Sequence, residues 1–320
     1  MNETESMTEY SIVSVLRHWD IGDVHGLTAI KDGRVYQVDT VDGSFILKNR
    51  FTHHPTSEWA AAKLAYEFRL LSHLAQCDVP VAVPLLSQGM SYVEYAGAYY
   101  TFCPMVPHQY PEMFLPDSGK NYTMIGEAIG RLHLGLASFP ETRPTYSLDF
   151  SRRIYQQILP EIAEKHEHDD DGLIAEMLAI EEETRERLGH LALQRIHGDC
   201  HPGNICIFAG KVTGFIDCDH LPYGPKFYDL CYYLMHLIAE HCIDSDASTM
   251  MFLKYYRQAI DGYRAVHPVT DGDLAAFRHL LLASHLGIYH YLCVVANNRE
   301  DAKKYRRGFE WVLRHWEQLY

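Results

Sequence analysis

Between Gly26 and Arg50 apolar and polar positions alternate around two Asp-Gly pairs, Asp32-Gly33 and Asp42-Gly43. The runs VYQVDT and SFILK flank the second pair, so this stretch predicts an antiparallel meander with tight turns at the Asp-Gly steps. The period then lengthens. WAAAKLAYEFRLLSHLA has helical spacing, and Ser57 stands just ahead of it as an N-cap candidate. After DVPVAVPLL, the segments SYVEY and AYYTF read as two more strands joined at Ala96-Gly97. Beyond the proline-punctuated connector CPMVPHQYPE the pattern is helical. Ile125, Ile129, Leu132 and Leu136 mark one face, and similar patterns recur at about 151–167, 173–193, 227–243, 248–266, 273–297 and 301–320. One hairpin interrupts them: ICIF, a turn at Ala209-Gly210-Lys211, then VTGFID. EHDDDG, near 167–172, reads as a solvated loop. The plan is α+β and bilobal: a small N-terminal antiparallel β lobe over 1–103 and a larger, mainly helical C-terminal lobe over 104–320.

Composition narrows this picture. The 320 residues are 47% hydrophobic and 22% charged, ordinary for a globular chain. A formal charge of −14 argues against a nucleic-acid partner, since phosphate backbones are bound by Lys/Arg surfaces. The opening MNETESMTEY is acidic and lacks the basic and apolar regions of a secretory signal. LLLASHLGIYHYLCVVA is short for a spanning helix and carries His285 and His290, so no membrane association is expected. Eight scattered cysteines without a CxxC pair suit free thiols in a reducing cytoplasm. Nothing in the pattern sets an oligomeric state.

The chemistry concentrates in RIHGDCHPGN, Arg195 to Asn204, a loop that no helix interior or strand accommodates. Asp199 and Asn204 are hard oxygen donors of the kind Mg²⁺ takes, and the Asp-x4-Asn spacing is that of the kinase catalytic loop. Asp217, at the end of VTGFID, adds a third such donor eighteen residues after Asp199. Two other readings stand beside this one. Asp199 and Asn204 also suit a turn that merely organises itself. His197, Asp199 and His201 also suit a transition-metal site of a metallophosphoesterase, but the additional ligand motifs such a centre needs are not found in the chain.

IHGDCHPGN followed by GFIDCDHLPYGPKFYDL resembles the aminoglycoside phosphotransferase/choline kinase-like family, small-molecule kinases of protein-kinase-like fold. The resemblance covers the two-lobe plan, with its specific part at 195–230. It implies an ATP- and Mg²⁺-dependent transfer of phosphate to a hydroxyl of a small-molecule acceptor. Asp199 would orient and deprotonate that hydroxyl, Asn204 and Asp217 would hold Mg²⁺, and the histidines would support the loop. Lys48, ending SFILK, would touch the α/β-phosphates. Glu67 sits on the apolar stripe of the first long helix, where a carboxylate needs a partner. Lys48 is the favoured partner, ahead of an i,i+4 pair with Lys63. The adenine edge would meet the connector at Cys103 or Met105, because Pro104 has no N–H. The phosphate-covering loop departs from the glycine-rich pattern, with only Gly33 in LTAIKDGRVYQV.

Asp219 is a candidate metal or acceptor contact, and Tyr223 a candidate acceptor wall, as are Tyr232, His236, Tyr289 and Trp311, which suit a core equally. Asp229 fits a brace for the catalytic loop. Aminoglycosides, amino alcohols and sugar-like metabolites are all eligible acceptors, and the acidic chain favours a cationic one. Two further readings come with the resemblance. One is a spore-coat-type structural or assembly role on the same fold. The other is a protein kinase, disfavoured because no long activation loop follows Asp217.

Overall fold

The computed structural model describes residues 9–31, 33–51, 55–108, 122–141, 147–165, 171–242 and 245–319. It divides into two compact units, residues 1–108 with 213–216, and residues 109–212 with 217–320. The acidic segment at 167–172 and the latter part of the connector fall largely outside the described residues.

The first unit is an antiparallel sheet with two helices. Strands β1 (Val24–Lys31), β2 (Val35–Thr40), β3 (Gly43–Asn49), β4 (Val93–Tyr95) and β5 (Ala98–Pro104) form the order β1-β2-β3-β5-β4. The turns follow from residues that accept positive φ. Gly33 and Gly43 lie at +65° and +135°, and Ala96 and Gly97 at 52° and 77° make the two-residue turn whose twist matches its strands. Strand β2 alternates strictly, burying Tyr36, Val38 and Thr40. Tyr36 and Val38 meet Leu47, Tyr100 and Phe102 and a second layer from Ile12, Val15, Leu16 and Trp19. Those last four belong to helix α1 (Glu9–Leu16) and the turn after it, an element the acidic opening of the chain concealed. Helix α2 (Ser57–Gln76) packs Ala60 and Leu64 against Tyr99. Its cap is Thr56 rather than Ser57: the Thr56 hydroxyl accepts from the Trp59 N–H at 3.4 Å.

The second unit is mainly helical. Helices α3 (Thr123–Ser138), α4 (Phe150–Arg153), α5 (Leu159–Glu164), α6 (Asp171–Ala179) and α7 (Glu181–Gly189) precede the strands. A π turn over Ile154–Ile158 joins α4 to α5, and the stretch expected as one helix over 173–193 breaks at Ile180, where φ is −109° and ψ 13°. Strand β6 (Leu193–Arg195) pairs antiparallel with β9 (Tyr223–Pro225), a pairing too short to leave a sequence pattern. Between them, β7 (Ile205–Phe208) and β8 (Lys211–Phe215) form the expected hairpin. Helices α8 (Phe227–Leu237), α9 (Asp246–Val266), α10 (Asp271–His290) and α11 (Arg299–Arg314) complete the unit. Capping boxes start α9 and α10, through Ser245 with Ser248 and Thr270 with Asp273.

Helices α3 and α9 cross backbone to backbone. A Cβ at Gly126 would overlap the Ala259 carbonyl, and one at Gly262 would overlap the Thr123 carbonyl. Glycine is needed at both positions for space, not for conformation. Among the described residues no helix is long and apolar enough to cross a membrane.

Candidate active site

The loop between β6 and β7 presents Asp199, and the sequence holds it from two directions. Asn204, buried five residues on, donates from Nδ2 to the Asp199 carboxylate at 3.0 Å and to its carbonyl at 2.9 Å. That orientation leaves the other end of the amide, the hard oxygen Oδ1, on the opposite side of the Asn204 side chain. The second hold comes from behind. The Asp229 carboxylate, in the first turn of α8 and 0% exposed, accepts the N–H of His197 at 2.7 Å and of Gly198 at 2.8 Å. His133 of α3 adds a third contact through Nε2 at 2.9 Å, and its Nδ1 lies 2.7 Å from the Tyr263 hydroxyl. Burial raises the Asp229 carboxyl. The hydrogen bond and charge of His133, then His197 and the Gly198 N–H, outweigh it and hold the group below its ordinary value. Gly198 has φ +81°, and a Cβ there would press within 2.6 Å of Pro222, so only glycine makes this turn.

The two histidines of the motif turn inward on the loop. His197 Nδ1 accepts the Asp199 N–H at 3.3 Å, and His201 Nδ1 accepts the Gly203 N–H at 3.0 Å. Both Nδ1 atoms are therefore occupied by loop backbone, and His201 Nε2 lies 3.9 Å from the Asp199 carboxylate. Among the described residues no three His, Cys, Asp or Glu side chains converge as a metal cluster. Cys200, between Asp199 and His201, is buried; burial first, then the charges around it, push its thiol well up and keep it inert.

Asn204 immediately precedes β7 and Asp217 follows the end of β8, so the hairpin brings both residues to its same end. Asp217 is exposed with φ +57°, a left-handed conformation that Asp tolerates better than most residues. Asp219 is half-buried.

A cavity of about 710 Å³ opens at Asp199 within this unit. Its walls include Phe150, Ile154, Ile158, Tyr228, Tyr232 and Ile288. Neither Asp219 nor Tyr223 lines it. Tyr223 is engaged with Arg195, whose guanidinium sits 5.5 Å from the ring centroid and 3.5 Å from the hydroxyl. Trp311 and Tyr289 are core residues. Tyr232 does reach the site. Burial, then Tyr228, then the Asp199 carboxylate push its phenol far up, so it stays protonated beside Asp199 on the cavity wall. Behind it, His236 bonds the Tyr305 hydroxyl at 2.9 Å and is lowered to about 3 by burial and by His201, so it is neutral.

In the first unit, Lys48 lies on β3, half-buried, opposite Val35 and Thr101. Glu67, 6% exposed on α2, meets Arg50 at 2.6 Å and Lys63 at 2.5 Å. The Lys63 pair ranked behind Lys48 in the sequence reading is thus formed, and Arg50 was missed. Arg50 follows the end of β3 and donates its own N–H to Tyr99, which aims its side chain at α2. Of the two connector candidates, Cys103 sits opposite Ile46 in the β3–β5 ladder. The Met105 N–H donates to the Ser44 carbonyl at 2.9 Å, so it is spent on the sheet and is not available to a nucleotide edge.

A loop aspartate locked by its own asparagine and braced by a buried carboxylate, in a chain that also holds a five-stranded antiparallel unit, is the arrangement of a protein-kinase-like fold. The chain belongs to the phosphotransferase enzyme family, whose sequence model matches residues 26–269. It is 28% identical over 220 residues to stress response kinase A of Escherichia coli (strain K12), covering 64% of this chain and 61% of that protein. The same shares and identity hold over 210 residues for the serine/threonine protein kinase RdoA of Salmonella typhimurium. The chain thus spans 61% of the length of these relatives. In fold it is similar to amicoumacin kinase hAmiN, solved with AMP-PNP, Ca²⁺ and Ami, at a TM-score of 0.68 and 17% identity over 94% of this chain and 93% of that one.

Proposed function

We propose that the protein transfers the γ-phosphate of ATP to a hydroxyl of a small molecule held in the cavity at Asp199. The observation that carries this reading is Asp199 itself: a carboxylate on the cavity wall fixed by Asn204, with the loop backbone just before it fixed by Asp229. Positioning is most of what phosphoryl transfer asks of a protein. Asp199 takes the proton of the acceptor hydroxyl as that oxygen bonds the γ-phosphorus and the bond to the β-phosphate oxygen breaks. Asn204 keeps the carboxylate turned toward the acceptor.

The donors present fit Mg²⁺: Asn204 Oδ1 and the Asp217 carboxylate are hard oxygens, and Mg²⁺ takes one or two protein ligands together with phosphates. When bound there, the ion would neutralise charge on the β- and γ-phosphates. Lys48 would hold the α/β-phosphates. Glu67, tied to Arg50 and Lys63, fixes α2 to the end of β3 instead of acting on the nucleotide. Amicoumacin kinase, solved with AMP-PNP and Ca²⁺, supports nucleotide use.

A protein hydroxyl is the second reading, favoured by the name of the Salmonella relative. The deciding experiment is Mg-ATP turnover against a panel of hydroxyl-bearing small molecules and a generic protein substrate, with Asp199→Asn as control. Acceptor-dependent ADP release by the wild type, lost in Asp199→Asn with nucleotide binding intact, supports the proposal. Phosphate incorporated into the protein substrate alone replaces it with the second reading. Transfer by Asp199→Asn at the wild-type rate refutes the assignment of the base.

A further inference from the structure

The charges around the cavity at Asp199 select among acceptor chemistries. Of the described residues that line it, the only carboxylate is Asp199, already committed to the hydroxyl proton. The only permanent cation is Arg153, the last residue of α4. His201 and His220 are the remaining basic side chains. Arg153 is exposed at the cavity, and among the described residues no carboxylate pairs with it. Phe150, Ile154 and Ile158 give the described lining one apolar stretch and Ile288 another, with Ser284 and the tyrosine hydroxyls as its neutral polar groups.

The net charge of −14 invites a cationic acceptor, but the local charges oppose one. Among the described lining residues a polyamine would face a guanidinium and meet one carboxylate, a poor match for several ammonium groups in a partly apolar space. A carboxylate has the reverse fortune. The planar guanidinium offers it two parallel N–H donors, and the apolar wall takes a hydrophobic body.

We infer that the acceptor is an anionic hydroxyl compound: a hydroxy acid with an apolar or aromatic body, whose carboxylate Arg153 takes while its hydroxyl meets Asp199. This rests on the small-molecule kinase reading above and names the class of its substrate. Arg153 is the residue that sets the preference for charge.

The test compares three aromatic hydroxy acids, N-benzoylserine, phenyllactate and 4-hydroxyphenylacetate, each with its methyl ester, and kanamycin as a polycation. ADP release is measured for wild type, Arg153→Gln and Arg153→Glu. The wild type is expected to favour acid over ester by about tenfold in kcat/KM, the worth of one charge-assisted pair. Arg153→Gln should remove that ratio and Arg153→Glu should invert it, which a merely misfolded pocket would not do. Preference for kanamycin, or an acid-to-ester ratio unchanged by Arg153→Glu, overturns the inference while leaving the kinase reading standing. If no compound accepts phosphate, calorimetric binding of the acids in the presence of AMP-PNP decides. Binding that depends on Arg153 supports the inference and counts against transfer at this site, and no binding at millimolar acid overturns it.

Discussion

Replacing Asp229 by alanine removes one carboxylate and strands three donors at once. The N–H groups of His197 and Gly198 and the Nε2 of His133 all end on it, at 2.7, 2.8 and 2.9 Å, in a place without solvent. An unsatisfied buried donor costs about 1–3 kcal/mol, more when a charge is involved, and truncating one member of a buried ionic cluster costs about 3–5 kcal/mol. We take about 4 kcal/mol as the expected loss, a large part of the roughly 5–15 kcal/mol that a domain commands. Urea unfolding followed by tryptophan fluorescence measures it. The sign with pH is fixed by the depressed Asp229 carboxyl. Its stabilisation is fully present above the unfolded value of about 3.9 and is lost as pH falls through the lower folded value. The wild-type and Asp229→Ala curves should therefore lie far apart at neutral pH and converge in acid. A difference under about 1 kcal/mol at pH 7 would refute the brace, since three stranded donors cannot cost so little.

Tyr232→Phe deletes the protonated phenol beside Asp199, which is placed to donate to that carboxylate during transfer. A hydrogen bond to a charged group is worth about 1.5–3 kcal/mol, so kcat should fall by about ten- to a hundredfold with little change in nucleotide KM. The double variant with Asp199→Asn should be no slower than Asp199→Asn alone, and additive losses would show that Tyr232 acts elsewhere. Gly262→Ala sets a Cβ against the Thr123 carbonyl and should cost more than about 3 kcal/mol or prevent folding. Gly189→Ala, with open space around it, should be neutral or stabilising by about 0.5 kcal/mol, and similar urea midpoints for the two would sink the close crossing of α3 and α9.

Features that rest on neighbouring residues were legible before the structure. The Asp-Gly and Ala-Gly turns declare themselves because positive φ restricts the residues allowed there, and Asp199 and Asn204 do so because five residues of loop fix their meeting. Long-range partners were not legible. Asp229 reads as a brace, but its partner His133 lies 96 residues away and looks like any core histidine. Arg50 is one cation past a strand until β3 aims it at α2, where it joins Lys63 on Glu67. Tyr232 is a wall candidate from the sequence, but it lies in a helix where nearly every residue is buried, so periodicity does not separate it from Tyr289 or Trp311. The Met105 N–H is lost to Ser44 by strand register, which a proline-based argument about donors cannot see. Helix α1 was concealed by its acidic approach, although Ile12, Val15, Leu16 and Trp19 are spaced as one helical stripe.

The brace has a consequence for how such a protein changes its diet. Asp229 and His133 grip the loop from the side away from the cavity, while Phe150, Ile154 and Ile288 form its wall from other helices. Exchanging those apolar side chains, or Arg153 beside them, reshapes what enters without disturbing a single hydrogen bond that aims Asp199. On the small-molecule kinase reading, selection of a new acceptor is then a matter of a few steps on α4, the π turn after it and α10, each tolerable by itself. A lineage can wander across substrates along that route while its chemistry stays where it was.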